Sequence, residues 1–141
     1  MVNLTSIGGP SGLSFAKQTA VVTCTDALSA GDVVMLTLAS GGYAACTKSA
    51  TADTTPDHII GVALETVSAG AKGQIGLKGV FEVACEASMD ASVAGRVSGA
   101  TAGRLEAHAT NPTDEGTAYV KMVGIALEAT ASAGDLTSVL F

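Results

Sequence analysis

Aromatic rings and charge are what this chain has least of. Only 4% of its 141 residues are aromatic and none is Trp, so an interior must be filled by Val, Ala, Leu and Ile. Exposed rings for stacking on sugars are equally scarce. Charged residues make up 14%, the seven Lys and Arg are scattered, and the net charge is −6. Binding to nucleic-acid phosphates needs clustered cations, which excludes duplex nucleic acid as the main partner. The three cysteines, Cys24, Cys46 and Cys85, are odd in number and far apart, with no Cys-x-x-Cys and no His at ligand spacing. That pattern indicates neither a disulfide framework nor a zinc site. Each cysteine lies in or beside an apolar run, which predicts buried, reduced thiols of a protein made in the cytoplasm. No apolar run reaches the ~18 residues of a membrane span, and no basic segment followed by an apolar one opens the chain. Neither membrane insertion nor secretion is expected.

Catalytic signatures are missing too. Gly70-Ala71-Lys72-Gly73 has neither the spacing nor the hydroxyl of a phosphate-binding loop, and no Gly-x-Ser-x-Gly elbow occurs. His58 opens an apolar run and His108 borders a polar loop; with no nucleophile to serve, both read as rim histidines. Glu65 and Glu128 occupy equivalent places in two similar segments and could share a proton or a cation. Repetition explains that equivalence without function, and both read as strand-end carboxylates facing water. Lys72 and Lys78 lack the acidic or Met-Lys setting of a lipoyl or biotinyl carrier lysine. No catalytic residue, cofactor or metal is expected.

What the chain does have is 17 glycines punctuating short apolar runs, in an order that returns. Ile60 to Glu65 reads IGVALE and Val123 to Glu128 reads VGIALE; each passes through small polar residues into an Ala-Gly turn, Ala69-Gly70 or Ala133-Gly134, and a further apolar run. Ser29-Ala30-Gly31-Asp32 is a turn of the same kind, and Ala94-Gly95-Arg96 a weaker one. The pattern fits an internal duplication or the common reuse of Gly-Asp turns, since Gly takes positive φ freely and Asp bonds nearby backbone.

Strands are predicted over Lys17 to Cys24, Asp32 to Leu38, Tyr43 to Thr47, Ile59 to Leu64, Gln74 to Leu77, Val80 to Cys85, Arg96-Val97, Arg104 to His108, Ala118 to Leu127 and Leu136 to Phe141. Ser40-Gly41-Gly42 should join a hairpin. Gly61 hints at a close backbone approach, Gly79 at a bulge or bend. Alternation puts Phe81 and Val83 on the core side, and Glu86 to Ala94 is the one candidate for a short helical turn. The expected fold is all-β: a compact antiparallel β-barrel or sandwich of about ten short strands, possibly duplicated, with an extended N-terminal arm. Residues 1–16 form that arm and 17–141 a single β domain. Such low charge leaves small and apolar residues on the surface, which predicts faces packed against neighbours.

The segments "AGDVV", "IIGVALETVSAGAKGQIGLKGVFEV" and "VGIALEATASAGDLTSVLF" resemble the small capsid decoration, or cement, proteins of tailed bacteriophages, from about Ala27 to Phe141. The resemblance implies a non-enzymatic virion protein, often trimeric and here expected as a homotrimer, made in the host cytoplasm. It would sit on the outer surface of an expanded capsid, with the major capsid protein as partner and contacts between coat subunits stabilised. In the arm, Val2, Leu4, Ile7, Leu13 and Phe15 are apolar residues that a merely flexible tail would not require, and they are the expected capsid contacts. A tail-tube, baseplate or head–tail adaptor barrel is the alternative, and an adhesin or carbohydrate-binding module a remote one.

Overall fold

The computed structural model describes residues 17–38, 44–48, 59–98, 101–108 and 122–141. Ten strands occupy them: β1 Gln18–Cys24, β2 Val33–Leu38, β3 Ala44–Lys48, β4 Ile59–Ala63, β5 Lys72–Lys78, β6 Val80–Ala84, β7 Ala94–Val97, β8 Leu105–Ala107, β9 Met122–Ala126 and β10 Leu136–Leu140. The all-β expectation therefore holds. The first five strands close into a barrel in the order β1-β3-β2-β4-β5, with β5 returning to β1, and the other five form a sheet in the order β6-β10-β9-β7-β8.

Both sheets have one topology. Replacing β1 to β5 by β6 to β10 in the barrel's order gives the neighbours of the second sheet, and a set of backbone hydrogen bonds corresponds between the halves. Leu28 and Val67 exchange two bonds in the first half, as Met89 and Thr130 do in the second. The Gly31 N–H donates to Ala63 and the Ser92 N–H to Ala126; the Thr25 N–H donates to Cys46 and the Glu86 N–H to Leu105. The internal duplication is thus a property of the fold, and it extends beyond the IGVALE segments to strands whose sequences have diverged.

The Ser-Ala-Gly turns explain how short strands are joined so tightly. The Asp32 N–H reaches the Ser29 carbonyl, Ala71 reaches Ser68, and Asp135 reaches Ser132. The third residue of each turn has positive φ: +90° at Gly31, +82° at Gly70 and +86° at Gly134. That is the geometry of a type II turn, which needs glycine there. The fourth such turn corrects two sequence expectations. It is Asp90-Ala91-Ser92-Val93, with Ser92 at φ +67°, and not Ala94-Gly95-Arg96, which lies in β7. No helix forms between Glu86 and Ala94, because Met89 is held in the bridge to Thr130. A serine in the glycine's place hid the turn.

Other expectations meet the structure at particular residues. Leu38 pairs with Ala44 across the predicted hairpin, whose turn lies outside the described residues. Gly79, at φ +121°, is a bend between β5 and β6, whereas register shifts fall between Gln18 and Thr19 and between Gly95 and Arg96. A Cβ on Gly61 would sit 2.7 Å from Ile75 Cγ2 and 2.9 Å from the Gly76 carbonyl, so close approach does require glycine there. The N-terminal arm, His58 and residues 118–121 of the long predicted strand lie outside the described residues.

Among the described residues, buried apolar side chains form two clusters. Val22, Cys24, Leu28, Val34, Leu36, Cys46 and Ile75 fill the first barrel; Phe81, Val83, Cys85, Leu105 and Val139 form the second cluster. Val33 and Val34 are consecutive and both fully buried, since β2 turns Val34 into its own barrel and Val33, with Val62 of β4, into the other cluster. A strand covered on both faces must be apolar there, as β2 is from Val33 to Leu36. Backbone bonds cross the same boundary, from the Val33 N–H to Gly103 and from the Ala84 N–H to Gly31.

Candidate functional site

Among the described residues no group of three or more His, Cys, Asp or Glu side chains is arranged to hold a metal. Glu65 and Glu128 face water in separate halves. One carboxylate accepts the Gln74 N–H and the other the Ser138 hydroxyl, so each caps its own strand end. Among the described residues the one buried carboxylate with a cation belongs to a turn: Asp32 accepts the Ser29 N–H at 2.9 Å and pairs with Lys48 Nζ at 3.2 Å, fastening the start of β2 to the end of β3. Arg96 and Glu106, cross-strand partners on β7 and β8, are likewise paired with each other.

The surface of the second sheet offers a different kind of site. Residues directly opposite on paired strands share a face. The pairs Val80 with Leu140, Glu82 with Ser138 and Ala84 with Leu136 across β6 and β10, and Leu140 with Ile125 across β10 and β9, therefore lie on one side. The Leu127 N–H donates to Ser138, which puts Leu127 there too. Ile125, Leu127 and Leu136 are 48%, 45% and 46% exposed, and Glu82 is the one charged residue among these positions. At the rim of this face a groove of about 400 Å³ separates the second sheet from the first barrel, between Val80, Glu82 and Leu136 on one side and Lys17, Gly31 and Leu64 on the other. Lys17 Nζ lies 5.4 Å from the centre of the Phe81 ring in the groove.

The groove also exposes main chain. The Phe141 N–H bonds to Gly79 and the Cys85 N–H to Asp135, so odd-numbered residues of β6 turn their backbone groups to β10. Even-numbered ones turn away, as the Ala84 N–H does toward Gly31. The N–H and C=O groups of Val80 and Glu82 thus point into the groove, and β6 ends the strand order of its sheet. Such an edge can accept an extended segment through main-chain hydrogen bonds. The arrangement is able to take a flat apolar surface or an extended strand.

Against known proteins, the model of the phage cement protein family matches residues 15–141. This chain belongs to the phage cement protein family. It is a structural protein of the phage virion, associated with the capsid. Among solved structures it is similar to the N base of head fiber gp8.5 of bacteriophage phi29, with a TM-score of 0.62 at 15% identity over 89% of this chain and 94% of that one. At that identity the likeness is one of fold. No curated protein sequence matches. The family resemblance read from the glycine order was therefore sound. Of the predicted contact residues of this cement protein, Val2, Leu4, Ile7, Leu13 and Phe15 all lie outside the described residues. Sequence reading missed Ile125, Leu127 and Leu136, because an apolar run looks alike whether one or both of its faces are covered.

Proposed function

We propose that the protein binds the outer surface of an expanded phage capsid and holds neighbouring major capsid subunits together, as a homotrimer or a protein that trimerises on the shell. The observation that carries this reading is the apolar, almost uncharged outer face of β6, β10 and β9 in a member of the cement family. A face of that kind favours burial against another protein. The phi29 likeness adds a protein of similar fold described as part of a head fiber. Residues 17–141 act as one body in this reading, and residues 1–16 as an arm whose Val2, Leu4, Ile7, Leu13 and Phe15 dock on the coat. Stabilisation follows from differential affinity: a ligand of the shell shifts its equilibrium only as far as it prefers the expanded lattice. No catalytic step enters.

The test is to mix the purified protein with expanded and unexpanded empty capsids and image both by electron microscopy. Density at threefold-related positions on expanded shells alone is expected, together with a higher rupture temperature. Deleting residues 2–14 should leave the body folded while weakening attachment. Equal binding to both shell forms would overturn the clamp, and full protection by the truncated protein would remove the arm from it.

A further inference from the structure

The two halves differ at the seam that closes the first of them into a barrel. In the first, β3 runs parallel to β1 over two residue pairs, Thr23 with Ala45 and Cys24 with Cys46. In the second, the equivalent seam is a single parallel bridge, Cys85 with Leu105. The duplication therefore places a cysteine at the end of both β1 and β6, but a facing cysteine only in the first copy. Cys24 and Cys46 are both fully buried, and the Cys46 thiol donates to Cys24 Sγ at 2.9 Å. Facing residues on adjacent strands lie within the Cα separation that a disulfide spans. Gly73 packs beside them, where a Cβ would lie 3.2 Å from Cys24 Sγ. Around them the seam is held by the Thr25 N–H and hydroxyl on the Cys46 carbonyl, at 2.8 and 3.0 Å, and by the Lys48 N–H on Asp26.

We propose that Cys24 and Cys46 are an oxidisable pair, closing to a disulfide that staples the parallel seam of the first barrel when the folded protein meets a small-molecule disulfide such as oxidised glutathione. One cysteine thiol gives up its proton, and its sulfur attacks one sulfur of the glutathione disulfide. The departing glutathione thiolate takes up that proton. The second cysteine then attacks the mixed disulfide, releasing the other glutathione as a thiol with the second proton. Two protein thiols are oxidised and one glutathione disulfide is reduced. Neither thiol is open to solvent, so closure waits on opening of the seam. Burial pushes the Cys46 thiol up to about 12, which slows it further. Once the chain is folded, the reduced form therefore persists until the seam opens. The bond forms later and joins positions 22 apart, restricting the unfolded chain. Cys85 faces Leu105 and has no thiol opposite it.

The full chain serves as the test without mutation. Trypsin cuts after Lys17, Lys48, Lys78 and Arg96, so Cys24 and Cys46 share the 18–48 peptide while Cys85 falls in 79–96. After incubation in oxidised glutathione, free thiols are blocked with iodoacetamide in urea and the digest is read by mass spectrometry. The expected result is an 18–48 peptide that has lost two hydrogens and takes no label, beside a labelled 79–96 peptide. The urea midpoint of the oxidised protein should rise and return on reduction. A Cys85→Ala variant should still close, and Cys46→Ala should not; if the latter fails to fold, the wild-type peptides decide. Two labelled thiols in 18–48, even in urea just below the unfolding transition, would overturn the proposal. So would pairing with Cys85, or a disulfide that lowers the midpoint.

Discussion

Gly124 has the least room for a side chain of the described glycines. A Cβ there would run into the Leu140 carbonyl and come within 2.8 Å of Val139 Cγ1, so β9 and β10 would have to part. Overpacking against backbone has no flexible side chain to absorb it, and Gly124→Ala should cost about 3 kcal/mol in urea unfolding. Gly70→Ala provides the contrast: nothing lies within 4 Å, and only the positive φ resists, at about 1 kcal/mol. Equal losses would contradict the role given to the β9–β10 contact. The Cys46 thiol supplies a pH dependence of the reduced protein. Burial, with smaller contributions from Cys24 and Asp26, raises it from 9.0 to about 12. In that window the folded state holds a proton that the unfolded chain has lost, so stability is intact below pH 9.0 and falls toward pH 12. Burial raises the Cys85 thiol too, in the same direction. Under a reductant, Cys46→Ala should flatten the alkaline decline measured by urea titration.

Among the elements, the repeated turn carries the most information. Three copies have glycine at the position of positive φ and the fourth has Ser92 at +67°. A left-handed conformation costs a residue with a Cβ roughly 1–2 kcal/mol, partly offset by the greater freedom that glycine brings to the unfolded chain. Ser92→Gly should therefore stabilise the protein by about 0.5–1 kcal/mol, read as a higher urea midpoint. A loss of stability would mean that the serine side chain supports the turn. The same comparison shows why the strand pattern was legible and this junction was not. Val33-Val34 and Phe81 to Cys85 declare buried strands by composition, whereas Asp90-Ala91-Ser92-Val93 holds neither of the residues that announce a type II turn.

For the whole molecule, the exposed apolar face separates attachment from stability. Ile125, Leu127 and Leu136 lie about half in solvent, so lysine at these positions can keep its charge in water. Ile125→Lys and Leu136→Lys should change the unfolding midpoint little while weakening sedimentation with expanded capsids at least tenfold, a loss of about 1.4 kcal/mol or more. Unchanged capsid binding by the double variant would place the contact elsewhere, on the arm or on a different face.

Composition and order alone determined a good deal here: an all-β chain, the strand order along it, buried cysteines, a glycine demanded at residue 61, and the cement family. These are local or statistical properties, set by alternation, by residues that only turns require, and by the shortage of charge and rings. Whether the repeated phrases were a true duplication was decided by tertiary structure, because Ser92 for Gly31 and Leu105 for Cys46 correspond only once the hydrogen bonds are compared. Strand pairing decided the rest. It brought Cys24 against Cys46 from 22 positions away, buried β2 on both faces between two clusters, and left β6 with an edge and β9 with an open face. An apolar strand reads the same with one covered face or two, and which neighbour covers it depends on contacts between residues far apart in the chain.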